Sequence, residues 1–227
     1  MHMKIKIEGI KEIFIEDILP TMEKHGYRFL RSKNSFVHED WEWKNECNLR
    51  FTDWGDDHVS LRTEYFVTSK RVSHLFHKAT METECMPTCG VLDVGWAYKY
   101  LGIPLEDKPW FEMKIAKIDS IVQKWIVEFE SVGLSFFKEM NDYEKLEKVL
   151  DIHNVSGCPA LSVWTGERIL HGICLHYIKT KDKRKTLELF SMYRKKVEGM
   201  DFSMIKDQFV RLEQYFKNLP DNISRQG

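Results

Sequence analysis

From Tyr27 to Val67 apolar and polar residues alternate, and no other stretch constrains the fold as strongly. Cys47, Leu49 and Phe51, then Val59, Leu61, Thr63 and Tyr65, hold the odd positions, with Asn48, Arg50, Thr52, Ser60, Arg62 and Glu64 between them. A period of two puts successive side chains on opposite faces, so the pattern predicts a sheet with one dry face and one wet face. Four strands are expected, over Tyr27–Arg31, Phe36–Lys44, Cys47–Asp53 and Asp57–Thr68. Short polar links at Ser32-Lys33-Asn34, Asn45-Glu46 and Trp54-Gly55-Asp56 would join them as an antiparallel meander. Val37, Trp41 and Trp43 should share a face of the second strand.

Ahead of the sheet, Ile10, Ile13, Phe14, Ile18 and Met22 recur at three- and four-residue steps, the stripe of an amphipathic helix ending near Gly26. Pro20 removes an amide donor inside that stripe and is expected to kink or break it. Beyond the sheet, Val72, Leu75, Phe76 and Ala79 suggest a helix. Thr80 to Gly95 is rich in turn formers, and Trp96 to Leu101 reads equally as short helix or strand. From Pro109 onward the spacing is helical. One long stripe carries Phe111, Ile115, Ile118, Ile121, Val122, Trp125, Ile126 and Phe129, with Gly133 as its stop. Asp142 reads as the cap of a helix with Tyr143, Leu146 and Leu150. Pro159 opens one with Leu161, Trp164, Ile169, Ile173 and Tyr177. Two more carry Leu187, Phe190 and Tyr193, then Ile205, Phe209, Leu212 and Phe216. The expected class is α+β: an N-terminal helix on a four-stranded antiparallel meander, followed by a C-terminal antiparallel helical array. Residues 1–108 would form the sheet half and 109–227 the helical half, sharing one core because no flexible linker separates them.

With 34 basic against 35 acidic residues the formal charge is -1, so no overall field draws the chain to nucleic acid or membrane. Five cysteines, an odd number widely spaced, favour reduced thiols. The first residues lack the apolar core of a signal peptide, and charges interrupt every later apolar run, so a soluble cytoplasmic protein is expected.

Four groups of residues could carry function. His74 and His77, with Cys85 and Cys89, offer the imidazole and thiolate donors that zinc prefers, although Cys-Met-Pro-Thr-Cys is only loosely a metal turn. The tract Glu39, Asp40, Trp41, Glu42, Trp43, Glu46, Asp53, Trp54, Asp56 and Asp57 combines tryptophans with carboxylates. That composition suits a protein partner with a basic surface, with Trp54, Asp53, Asp56, Asp57 and Glu42 as the contact residues. Lys179, Lys181, Lys183, Arg184 and Lys185 could touch phosphates, but without interleaved aromatics they read as a solvated link and nucleic acid is not the expected partner. Cys158 before Pro159, with His153, His171 and His176 nearby in the chain, could supply a nucleophile, though nothing orders them into a triad. No glycine-rich phosphate loop, serine elbow or paired-carboxylate motif is present, so no catalytic residue is assigned.

Ile18-Leu19-Pro20, Met22, His25-Gly26-Tyr27-Arg28 and Phe36 resemble the opening of a bacterial family of unknown function, in which a helix steps into a strand with a conspicuous Phe. Val132-Gly133-Leu134-Ser135-Phe136-Phe137 and Tyr143 to Leu150 are similar to a step in that family's back half, with Ser135 where the family tends to have proline. The resemblance implies an α+β front, a helical back and a cytoplasmic protein without established activity. Some look-alikes are suspected to be immunity proteins that neutralise a toxin by binding it. The leading expectation is therefore a non-catalytic, immunity-like binding protein; the alternative is a small zinc- or thiol-dependent enzyme.

Overall fold

The computed structural model describes residues 7–55, 59–83, 86–106, 108–114, 117–155 and 165–220. It has an N-terminal helix, an antiparallel sheet and a C-terminal helical array, the expected α+β class. Helix α1 (Ile7–Lys24) buries Ile10, Phe14, Ile15, Ile18 and Met22. It continues unbroken through Pro20. The acceptor that loses its donor there is Glu16, and both residues lie on the exposed side, where water can replace the missing bond. Gly26, at φ +78, then turns the chain into the sheet.

Strands β1 (Arg28–Leu30), β2 (Ser35–Glu39), β3 (Trp43–Asp53) and β4 (Val59–Ser69) run in the expected order, and two short strands, β5 (Cys89–Val91) and β6 (Phe111–Met113), also pair with β4. The second strand ends earlier than the alternation suggests. Asp40 accepts the backbone N–H groups of Glu42 at 2.7 Å and Trp43 at 2.6 Å, closing a hairpin at Trp41-Glu42. Asn45 and Glu46, expected to be a link, instead pair with His38 and Val37 in the middle of the ladder. Trp41 occupies the hairpin tip, exposed, while Trp43 starts β3 and is buried.

β3 keeps its alternation, with Trp43, Asn45, Cys47 and Leu49 buried and their neighbours partly or fully exposed. β4 does not: Leu61 and Tyr65 are buried, but so are Ser60 and Glu64 on the side expected to be wet. Of the strand only Arg62 is exposed. Polar residues there are covered by protein, and Glu64 meets the Arg50 guanidinium at 2.9 Å.

The expected long helix after Pro109 is divided. Phe111 belongs to β6, paired with Leu61, and Ile115 lies outside the described residues. Helix α4 (Ile118–Glu128) passes through a π-helical turn (Phe129–Gly133) into α5 (Leu134–Met140), so Gly133 does not stop the helix. Its role is close approach: a Cβ there would stand 2.9 Å from both the Phe129 ring and the Tyr65 hydroxyl. The remaining helices are α2 (Lys70–Thr80), α3 (Val94–Leu101), α6 (Tyr143–Leu150), α7 (Thr165–Thr180), α8 (Lys183–Glu198) and α9 (Ser203–Asn218). Asp142 caps α6 as expected, accepting from Glu144 and Lys145. Pro159, Leu161 and Trp164 lie outside the described residues.

By contact the chain forms two compact units that interleave along the sequence, residues 1–67 with 90–140 and residues 68–89 with 141–227. In the first, Trp125 stacks on Phe129 at 5.4 Å, Phe14 meets Trp125 edge-on at 5.7 Å, and the Trp125 indole N–H donates to Thr63 Oγ1 at 2.9 Å. In the second, Phe190 packs against Phe209 and Phe216. There the buried Arg168 guanidinium donates to the carbonyls of Leu150 and Asp151 at the end of α6.

Gly133→Ala separates the two readings of that glycine by sign. Alanine in an unobstructed helix would stabilise by about 1 kcal/mol. Against the buried Tyr65 ring it should destabilise by about 1–3 kcal/mol in urea unfolding.

Candidate functional site

The acidic, aromatic tract is contiguous in sequence and divided in space. Strand β3 spans Trp43 to Asp53, and at about 3.3 Å per residue its ends lie about 33 Å apart. Trp41, Glu42 and Trp43 are at one end, Asp53 and Trp54 at the other. Glu42 is only 8% exposed, so it is not available to a partner docked at Trp54, which corrects its assignment as a contact residue. Asp40 is occupied by its hairpin, and Glu39 and Glu46 lie by Arg28 and Lys44 at 3.7 and 2.7 Å.

At the far end of β3, Trp54 is 67% exposed, yet its position is defined. Its indole N–H donates to Ser60 Oγ at 2.9 Å, and the following turn is set by Gly55 at φ +79, whose N–H donates to the Asp53 carboxylate at 2.8 Å. Asp56 and Asp57 lie outside the described residues. In sequence they extend the acidic character: between Phe51 and Ser60 there is neither Lys nor Arg.

The metal ligands read from sequence are not assembled among the described residues. His74 and His77 lie on α2, Cys85 is outside the described residues, and Cys89 is buried in β5. His74 lines a concavity of about 320 Å³ with Lys70 and Arg71 on α2 and Tyr177, Ile178 and Lys181 near the end of α7. Cations around apolar walls suit an anionic group better than a metal ion. His77 neighbours His171, which is buried beside Phe76 and whose pKa falls to about 4, first through burial and then through His77. His171 is a neutral core residue at physiological pH.

The thiols at Cys47, Cys89 and Cys174 are free and fully buried, and burial pushes each pKa up, the reverse of what an activated nucleophile needs. Cys158 lies outside the described residues. Of the histidines near it in sequence, His153 and His176 do meet, and Glu147 joins them with ligand atoms mutually within 4.8 Å. Sequence reading missed Glu147 because on α6 it is one carboxylate among several. The basic run is largely committed to neighbours. Lys179 pairs with Glu144 and Glu147, Lys183 donates to the Leu219 carbonyl, Arg184 meets Glu188, and Lys185 lies 3.8 Å from Asp182.

Two features had a signal that the reading did not use. Trp96 and Tyr100, four apart on α3, and Leu92 just ahead of its cap are exposed apolar residues, with the Lys99 ammonium 4.8 Å over the Trp96 ring. Glu128, in the last turn of α4, is buried just before the π-helical turn, a backbone irregularity often found at functional sites. The Tyr98 hydroxyl is 3.4 Å from its Oε2. Burial raises its pKa to about 7; the Tyr98 contact opposes this and nearby Asp93 adds to it.

Compared with protein-family models, with curated proteins and with solved structures, the chain matches none of them. Among the described residues no helix is long and apolar enough to cross a membrane.

A carboxyl whose pKa is higher folded than unfolded binds its proton more tightly in the native state. Glu128 therefore contributes stability in full below about pH 4.5, and this is lost as pH rises through about 7. Glu128→Gln cannot ionise. Relative to wild type it should gain stability over that window, by on the order of 3 kcal/mol between pH 4 and pH 8, in denaturant titrations at both values. A difference that does not vary with pH would contradict the raised pKa.

Proposed function

We propose that this protein is a non-catalytic binding protein whose contact with a protein partner centres on Trp54. The supporting observation is the pre-set exposure of that indole. A large aromatic surface is held at a sheet end by one hydrogen bond, so little side-chain freedom is lost when a partner covers it. The acidic link around it favours a partner with a basic surface. The exposed Trp96 and Tyr100 on α3 fit such a partner less well, because Lys99 sits over Trp96 and would meet it with like charge. The resemblance of the His25 to Phe36 region to a bacterial family with suspected immunity proteins supports a toxin as the basic partner. Against thiol chemistry stand the burial and raised pKa values of Cys47, Cys89 and Cys174.

The test is capture from a host lysate with wild type, Trp54→Ala and Trp96→Ala side by side, with mass spectrometry of what is retained. A partner common to wild type and Trp96→Ala should be lost with Trp54→Ala, a penalty of about 2 kcal/mol or more for a central aromatic. It should also elute as salt rises, because the attraction between exposed charges is screened. Identical partner sets from all three proteins would exclude the Trp54 surface.

A further inference from the structure

A group in the helical unit points to a different kind of ligand. Glu147 stands in the second half of α6, His153 just beyond that helix, and His176 near the end of α7. The turn that carries His153 starts at Asp151, whose left-handed backbone (φ 46) ends α6.

His176 is the least accommodated member. It is 6% exposed, and neither of its ring nitrogens has a hydrogen-bond partner among the described residues. Its Nδ1 lies 3.8 Å from Glu147 Oε1, too far for a hydrogen bond. The His153 ring stands edge-on to it, centroids 5.4 Å apart and planes at 79°. Buried polar atoms are ordinarily satisfied, and a histidine with both nitrogens idle beside a second imidazole and a carboxylate has the surroundings of a ligand.

Lys179 joins Glu144 Oε2 at 2.8 Å and also holds Glu147 through Oε2, leaving Oε1 toward His176. That arrangement orients the carboxylate, as outer partners do in metal sites. The carboxylates of Glu144 and Glu147 share the Lys179 ammonium, and Glu147 also faces His176.

We propose that Glu147, His153 and His176 form a binding site for one divalent metal ion of the zinc class, tying the end of α6 to α7. Two imidazoles and a carboxylate are a zinc ligand set that leaves a fourth position for water. Tetrahedral bonds of about 2.0–2.1 Å place donors about 3.3 Å apart. The present separations lie within 4.8 Å, 3.8 Å between Glu147 and His176, so binding draws all three side chains together, with His153 the exposed member. The site is separate from the histidine and cysteine set read from the sequence, and does not depend on the Trp54 surface.

The experiment is calorimetric titration of the chelator-stripped full chain with Zn²⁺, with Co²⁺ as a spectroscopic probe of coordination. Wild type should take up a single ion per chain, melt at higher temperature with zinc, and give the visible bands of four-coordinate cobalt. His153→Ala changes an exposed residue, so the fold should persist, as circular dichroism will verify, while zinc affinity falls at least about tenfold. A His74→Ala/His77→Ala double variant should bind as wild type does. Failure of wild type to take up a stoichiometric ion, undiminished binding by His153→Ala, or loss of binding in the double variant would each overturn the assignment.

Discussion

The sheet unit depends on how Trp125 is buried. A tryptophan on α4 is large enough to fill the space over the sheet, but its N–H must find an acceptor or its burial becomes unfavourable. Thr63 supplies that acceptor from β4, which locks the rotation of α4 about its own axis. With the indole fixed, Phe14 from α1 and Phe129 from the π-helical turn take their places against its edge and face. The extra residue of the π-helical turn then brings Gly133 against Tyr65, where only a hydrogen fits.

The helical unit deals differently with polar groups under cover. Arg168 lies buried, and its guanidinium donates to the carbonyls that end α6; the Tyr193 hydroxyl donates to the carbonyl of Ile152, next in the same turn. The Arg211 guanidinium serves the Thr80 carbonyl at the end of α2. Helix ends that would otherwise hold unpaired acceptors thus fasten one helix to another. Glu128 in the sheet unit is surrounded differently. Its neighbours are a phenol, a thiol and another acid, so it resists ionisation.

The same contrast between local and assembled features governs the functional readings. An exposed indole with its N–H anchored, at the opposite end of β3 from Trp41, depends on residues close in the chain, Asp53, Gly55 and Ser60. The histidine pair at His153 and His176 exists because α6 and α7 pack against each other. The first is the surface proposed for a large partner, the second a set of donors in which His176 is buried and His153 exposed.

Sequence alone determined what depends on near neighbours. The alternation in β3, the stripes of α1, α8 and α9 and the Asp142 cap are each decided within a few residues, and the structure keeps them except that Ile13 is exposed and Leu187 half-buried. Tertiary structure decided the rest. Period two shows that β4 has two faces but not that both are covered, since covering depends on elements distant in the chain. The Asp40 hairpin separated tryptophans that the pattern had placed together, because a short side chain bonding the backbone outcompetes one more strand residue. Glu147 and His176 are brought together by the packing of two helices, and no spacing rule within either one encodes that distance.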